Sequence, residues 1–254
     1  MYTSLAAVAA TAAPSDPSAL PQGERVGGQT SQRATTSPAH IDRLRMHADA
    51  GRDAGALAAL LTAAQSGEID AQRAVGELLL RRGDVSEVKQ GLNWLERAAQ
   101  RGDQRAMLAL GKAWLFGARD VPPNPTKARG WFERIDSQNP QAAYYLGLID
   151  RGDNGGTTNY ERAMKHFRFA AERGVPEAMY LLGNGYAHGE GVDHDPREAM
   201  RWYMRAAYLD HPLAIQELAY AFARGDTLLP QSDLQAANMR AAIAHALRHP
   251  KAAP

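Results

Sequence analysis

The 254-residue sequence contains no cysteine, which excludes thiol catalysis, disulfide bonds and thiolate metal sites. It also lacks an excess of either charge, because 29 Lys and Arg residues are balanced by 28 Asp and Glu residues. The net charge of +1 provides no strong field to recruit nucleic acid or an anionic membrane. No apolar run approaches the roughly 20 residues that cross a bilayer, so we expect no membrane span.

Aromatic residues make up only 7% of the chain, whereas hydrophobic residues as a whole reach 44% and are rich in alanine. Alanine suits closely packed helices, while sheets are enriched in β-branched and aromatic residues. The composition therefore predicts an all-α protein.

Large apolar residues are almost absent from residues 1–40, which contain Pro14, Pro17, Pro21 and Pro38. Such a segment cannot bury enough surface to offset the entropy of ordering, so we expect a disordered leader. Its first 13 residues contain the small-residue pattern Ala-Thr-Ala, which is typical of a secretory signal remnant, although a basic start is missing. This pattern favours a periplasmic location. An Ala-rich tail and a cytoplasmic location are the alternatives.

A helical spacing of apolar residues begins at Ile41, and residues 41–69 are predicted to form a helical pair that caps an array. Five units follow, and the first helix of each carries an apolar residue and then a small one. These pairs are Val75-Gly76, Leu110-Gly111, Leu146-Gly147, Leu182-Gly183 and Leu218-Ala219. They are spaced by 35, 36, 36 and 36 residues, a period that indicates stacked helical units.

Bulky residues recur in the second half of each unit and are followed by Ala-Ala in four of the five. The bulky positions are Trp94-Leu95, Trp131-Phe132, His166-Phe167, Trp202-Tyr203 and Asn238-Met239. The small residue of the first helix allows the second helix to approach, and the bulky residue fills the space beside it. One unit alone leaves its apolar face in water, so the stack is the folding entity.

The fourth unit, between Ala178 and Ala207, reads Ala-x-x-x-Leu-Gly-x-x-Tyr-x-x-Gly-x-Gly-Val, then Asp, then Ala-x-x-Trp-Tyr-x-x-Ala-Ala. On this pattern the chain resembles the Sel1-like repeat family, a relative of the tetratricopeptide repeat. The resemblance implies a right-handed α-solenoid of antiparallel helical hairpins. The predicted boundaries are a leader at 1–40, a capping pair at 41–69, and repeats at 70–102, 103–138, 139–174, 175–210 and 211–249, the last including a C-terminal cap.

Motifs that carry catalytic chemistry are missing: there is no nucleophile elbow, phosphate loop, His-Glu-x-x-His motif or dinucleotide fingerprint. We therefore expect that the protein has no catalytic activity and binds no cofactor. The segment from His188 to Asp195 holds several metal-capable side chains, but its Gly and Asp positions coincide with the turn and helix cap of the repeat, so we expect no metal site. Residues 150–156 lack the alternating carboxylates of a calcium site and are predicted to form a loop.

The resemblance implies that the first helices line a concave face, with outward positions two residues before and two after the apolar residue of each pair. These positions, with others one turn later, are Arg73, Glu77, Leu108, Lys112, Phe116, Tyr144, Leu148, Arg151, Tyr180, Asn184, His188, Gln216, Tyr220 and Arg224. Tyrosines edged by Arg and Lys are residue types that anchor interfaces. Packing of the tyrosines between helices is the alternative.

These residues favour a non-enzymatic scaffold or adaptor that binds a protein partner, as an extended segment or a helix, on the concave face. The resemblance implies a bacterial envelope or secretion assembly. The alternative is a module that binds carbohydrate or peptidoglycan, since a tyrosine row also suits sugar rings.

Overall fold

The computed structural model describes residues 37–51, 53–82, 84–135, 137–152, 158–223 and 241. These residues form eleven α-helices and no β-strand. The predicted signal remnant and most of the predicted leader lie outside the described residues, as do Arg224, Asn238-Met239 and the predicted C-terminal cap. The helix that begins at Pro38 includes the last three residues of the predicted leader.

Successive helices are separated by two to eight residues of chain. They are α1 (Pro38–Gly51), α2 (Ala54–Gln65), α3 (Ile69–Arg82), α4 (Val85–Gln100), α5 (Gln104–Phe116), α6 (Pro125–Phe132), α7 (Pro140–Arg151), α8 (Tyr160–Glu172), α9 (Pro176–His188), α10 (Pro196–Tyr208) and α11 (Pro212–Ala223). Each helix packs against its neighbour along the chain, so that α3–α4, α5–α6, α7–α8 and α9–α10 form antiparallel hairpins. The predicted all-α solenoid is confirmed.

The helices α1 and α2 precede the repeats and both pack on α3. Their apolar residues Ile41 and Leu60 are buried in one cluster with Val75 of α3. A second apolar cluster runs from α4 to α11. The first pair therefore covers the apolar surface that α3 would otherwise expose at the start of the stack.

Side-chain caps and glycines set the limits of the helices. Asn139 and Asp195 accept hydrogen bonds from backbone N–H groups at the starts of α7 and α10, and each is followed by proline. Gly102 and Gly174 follow α4 and α8 with φ of 91° and 89°, a region that glycine occupies without strain. The turns between hairpins are thus encoded locally.

In the hairpins α5–α6 and α7–α8, the two helices meet where a glycine lies against an aromatic ring. A Cβ atom placed on Gly111 would lie 2.3 Å from the ring of Phe132, and one on Gly147 would lie 2.5 Å from the ring of Phe167. Both rings are buried. The pairing of small and bulky residues that the sequence predicted is therefore what brings the helices of these hairpins together.

Candidate functional site

The predicted site residues that the structure describes lie on the first helices of the five repeats. We call the exposed and half-buried side chains of α3, α5, α7, α9 and α11 the first-helix face. In this face α3 contacts α5 and α5 contacts α7, so that side chains of successive repeats adjoin.

In the first repeat the predicted site residues are engaged within the chain. Arg73 donates to Asp70 at 2.7 Å and to Asp103 at 2.8 Å. Asp103 also caps α5, so Arg73 ties the first repeat to the second. Glu77 is half-buried, and burial raises its pKa against the opposing effect of Arg73 and other arginines.

Repeats 2 and 3 share a set of touching rings, which we call the aromatic cluster: Phe116, Phe132, Tyr144, Tyr145 and Phe167. Tyr145 is stacked on Phe132 with ring centroids 5.1 Å apart and meets the edges of Phe116 at 6.1 Å and Tyr144 at 5.0 Å. Tyr144 also contacts Phe167 at 6.3 Å. Phe132 and Phe167 are buried, whereas Phe116 is 52% exposed. The cluster therefore connects the core to the first-helix face.

Four other predicted residues lie around this cluster. Lys112 is exposed, with Nζ 5.9 Å from the centroid of the Tyr145 ring, and Leu108 is half-buried one turn before it. Leu148 is only 7% exposed and packs in the core. The expectation that Leu148 presents its side chain to a partner is therefore wrong, because the tight packing of α7 on its neighbours covers this position. Arg151 lies over the ring of Phe167.

In repeat 4 the ring of Tyr180 is stacked on His211 at 4.9 Å and lies 5.8 Å from the ring of Tyr203. The hydroxyl of Tyr203 donates to Asn184 Oδ1 at 2.7 Å, which fixes the amide of Asn184. Burial raises the pKa of Tyr203, and Glu217 adds to the effect, so this hydroxyl keeps its proton. His188 is exposed at the end of α9.

Repeat 5 contributes Gln216 and Tyr220, both exposed, with Tyr220 at 56%. Tyr145 and His211 are not among the residues that the sequence predicts for this site. The Tyr144-Tyr145 doublet was a usable signal for the first. His211 gave none, because the equivalent positions Asp103 and Asn139 are ordinary helix caps.

His211 caps α11 with its ring. Its Nδ1 accepts a hydrogen bond from the backbone N–H of Ala214 at 3.3 Å, which requires that nitrogen to be unprotonated. Burial lowers the pKa of His211, and Glu177 opposes this effect. Because the unfolded chain takes up the proton first, the stability contributed by His211 is lost as the pH falls below about 6.5.

We therefore expect His211→Asn to reduce the loss of stability on acidification. Asparagine retains a capping oxygen, as Asn139 does at α7, but does not titrate. The thermal midpoints of the wild type and the variant, measured above and below pH 6.5, test this. An equal fall in both midpoints would contradict the assignment.

A group of charged residues joins the second and third repeats around the fully buried Asp150 of α7. Arg129 and Arg162 donate to its Oδ1 at 2.5 and 2.6 Å, and His166 Nε2 lies 3.4 Å from Oδ2. Burial raises the pKa of Asp150, but the hydrogen bonds from Arg162 and Arg129 outweigh burial and hold it below its usual value. The prediction that Asp150 begins a loop is wrong, since it lies inside a helix.

In the part of the chain that the structure describes, no group of three or more His, Asp or Glu side chains could hold a metal ion. The segment that follows α9 forms the predicted turn, with Gly189 at a φ of 70° and Asp195 capping α10. Among the same residues, no helix is both long and apolar enough to span a membrane.

Comparison with known proteins identifies relatives of the repeats. The chain is 32% identical to the ERAD-associated E3 ubiquitin-protein ligase component HRD3B of Arabidopsis thaliana, over 41% of this chain and 17% of that protein. It is 30% identical to the alginate biosynthesis protein AlgK of Pseudomonas syringae pv. tomato, over 61% of this chain and 31% of that protein. The chain thus spans less than a third of the length of either relative.

Solved structures share the fold. The protective antigen c5321 of uropathogenic Escherichia coli, described as having an SLR fold, matches 75% of this chain and 41% of its own at a TM-score of 0.64 and 29% identity. A Sel1 repeat protein from Oxalobacter formigenes matches 81% of this chain and 82% of its own at a TM-score of 0.63 and 23% identity.

The family model of the Sel1 repeat matches most of the chain. The matched residues are 69–103, 104–135, 140–175, 176–211 and 212–239. Sel1 repeats generally mediate contacts between proteins. With five repeats and the same solenoid, this chain belongs to the Sel1 repeat family.

Proposed function

We propose that this chain is a non-enzymatic adaptor that holds a segment of a protein partner across its first-helix face. The observation that carries the proposal is the row of tyrosines Tyr144, Tyr180 and Tyr220 on three successive repeats. Each ring keeps part of its surface in solvent, and the first two rest on buried rings, Phe167 and Tyr203.

Rings held in this way are suited to binding. A tyrosine offers a large apolar surface and a polar hydroxyl, and it is enriched among the residues that contribute most to protein interfaces. Because Tyr144 and Tyr180 are already fixed by the rings beneath them, little side-chain entropy is lost when a partner covers them. The exposed Gln216 and His188 supply polar neighbours along the row.

The relatives support an accessory role. HRD3B is named as a component of a ubiquitin ligase, and a chitin synthase regulator of Saccharomyces cerevisiae is also similar to the chain, at 27% identity. Both names describe a protein that acts together with an enzyme. The setting that we propose is a bacterial envelope or secretion assembly. Two of the similar proteins are bacterial, the alginate biosynthesis protein AlgK and the Escherichia coli antigen, and the Ala-Thr-Ala pattern is typical of a secretory signal remnant.

We expect Tyr144→Ala, Tyr180→Ala and Tyr220→Ala, combined in one variant, to weaken partner binding by more than about 1 kcal/mol. The full-length chain serves as bait in separate envelope and cytosolic extracts of the native organism. A protein retained by the wild type and lost by the variant is then purified and titrated against both by calorimetry.

The matched control is Tyr208→Ala, which removes an 87% exposed tyrosine from the second helix α10. It should bind like the wild type. Because Tyr144 and Tyr180 also pack on the core, circular dichroism must show the triple variant folded at the temperature of the titration. A folded variant with unchanged affinity would contradict the proposal, as would tight binding of a peptidoglycan fragment at the same tyrosines without any protein partner.

A further inference from the structure

We propose that the partner segment is acidic where it crosses repeat 2, and that it places an apolar side chain against Phe116 and Tyr145 with carboxylates beside Lys112 and Arg105. This inference rests on the proposed function and specifies the chemistry of the partner. It is carried by the arrangement of rings and cations along α5.

The apolar part of the site is preformed. Tyr145 is held on three sides, by the stacked ring of Phe132 and by the edges of Phe116 and Tyr144. Phe116, the last residue of α5, is half in solvent beside it. A partner side chain that covers Phe116 removes apolar surface from water without any rearrangement of the ring beneath it.

The cations follow the same stripe of α5. Arg105, Leu108, Lys112 and Phe116 are separated by three, four and four residues, which places them on one face of a helix. Arg105 and Lys112 are exposed, and no carboxylate of the described residues forms an ion pair with either. Arg73, by contrast, is already paired with two carboxylates. The charge available to a partner on this stretch is therefore positive.

The spacing suits a short segment. Seven residues of helix separate Arg105 from Lys112, a rise of about 10.5 Å. An extended partner covers this distance in about three residues and a helical partner in about seven. A carboxylate at each end of that stretch and an apolar residue beyond Lys112 would match Arg105, Lys112 and Phe116 in turn.

The neighbouring repeat sets the orientation of the segment. Glu177, exposed at the start of α9, lies close enough to Tyr145 to raise its pKa, in addition to the larger effect of burial. A negative charge there repels carboxylates from the repeat 4 side of the aromatic cluster. The acidic end of the partner is thus directed toward Arg105 and away from Glu177.

A phage-displayed library of random dodecapeptides, selected on the full-length protein, tests the inference. We expect enriched peptides to carry Asp or Glu next to Leu or an aromatic residue. Synthetic copies should lose about tenfold or more in affinity for the variant Arg105→Ala/Lys112→Ala, and their affinity for the wild type should fall with added salt. The control Lys89→Ala/Arg197→Ala removes two exposed cations from the second helices α4 and α10 and should bind like the wild type.

The outcomes separate the inference from the proposed function. Peptides that lack acidic residues, or that bind the Arg105→Ala/Lys112→Ala variant as tightly as the wild type, overturn the inference. If those same peptides are lost on the tyrosine triple variant, the adaptor function stands with a partner of different chemistry. A library that yields no peptide for the wild type counts against both.

Discussion

Replacing both Arg129 and Arg162 with alanine should lower the free energy of unfolding by about 3–5 kcal/mol. The two arginines are the donors to Oδ1 of Asp150, which is fully buried. Without them the buried carboxyl group of Asp150 faces only His166. It loses both arginine hydrogen bonds whether it is ionised or protonated. Urea unfolding followed by circular dichroism at 222 nm measures the loss.

Adding Asp150→Leu to this double variant should recover most of the stability. The equivalent position in the first repeat is Leu79, which is buried, so an apolar side chain fits this site in the repeat. Arg201→Ala, which breaks an exposed pair with Glu198, is the matched control and should cost no more than about 1 kcal/mol. If the triple variant is no more stable than the double variant, the unpaired buried carboxylate of Asp150 is not the cause of the lost stability.

The Asp150 group, by contrast, could not be predicted from the sequence. The family pattern has Tyr at the position of Asp150 and Trp at the position of His166. In repeat 4 these positions are occupied by Tyr186 and Trp202. Each of these two substitutions, taken alone, indicates only a weaker match of repeat 3 to the family pattern. Only the structure shows that the acid and the histidine face each other, with arginines from α6 and α8 completing the exchange of an aromatic pair for an ionic group.

The fold itself was predictable because the repeat encodes it locally. The small residues at Gly111 and Gly147, the caps at Asn139 and Asp195 and the 36-residue spacing each specify one contact or one turn. Errors of a few residues at the boundaries, as at Pro38, leave such an array intact.

The candidate site was less predictable, because spacing gives the direction of a side chain but not what it rests on. Leu148 and Tyr144 lie four residues apart on α7, yet one is buried and the other reaches the surface. The difference comes from the rings of Phe167 and Tyr145, which support Tyr144 from below and from the side. Contacts of this kind join residues of different helices and have no signature in one repeat.

Gly111→Ala should lower the free energy of unfolding by about 1–3 kcal/mol, although alanine forms helices better than glycine by about 1 kcal/mol. The new Cβ would lie 2.3 Å from Cε1 and 2.5 Å from Cζ of Phe132, distances at which atoms overlap. Phe132 is buried and stacked on Tyr145, so its ring cannot move without displacing the aromatic cluster. Urea unfolding gives the loss of stability, and near-ultraviolet circular dichroism reports the displaced rings.

Gly130→Ala is the matched control, because it makes the same substitution in a helix where nothing lies within 4 Å of the new Cβ. It should raise the free energy of unfolding by about 0.5–1 kcal/mol, through helix propensity alone. If Gly111→Ala lowers the free energy of unfolding and Gly130→Ala raises it, the loss comes from contact with Phe132. If both substitutions change the free energy of unfolding in the same direction, the packing described for this hairpin is contradicted. Phe132→Leu in the Gly111→Ala background removes the overlapping ring atoms, so it should cost less than Phe132→Leu alone. Because Phe132 supports Tyr145, Gly111→Ala and Phe132→Leu should also weaken the binding of a partner at Phe116, although neither substitution lies in contact with that partner.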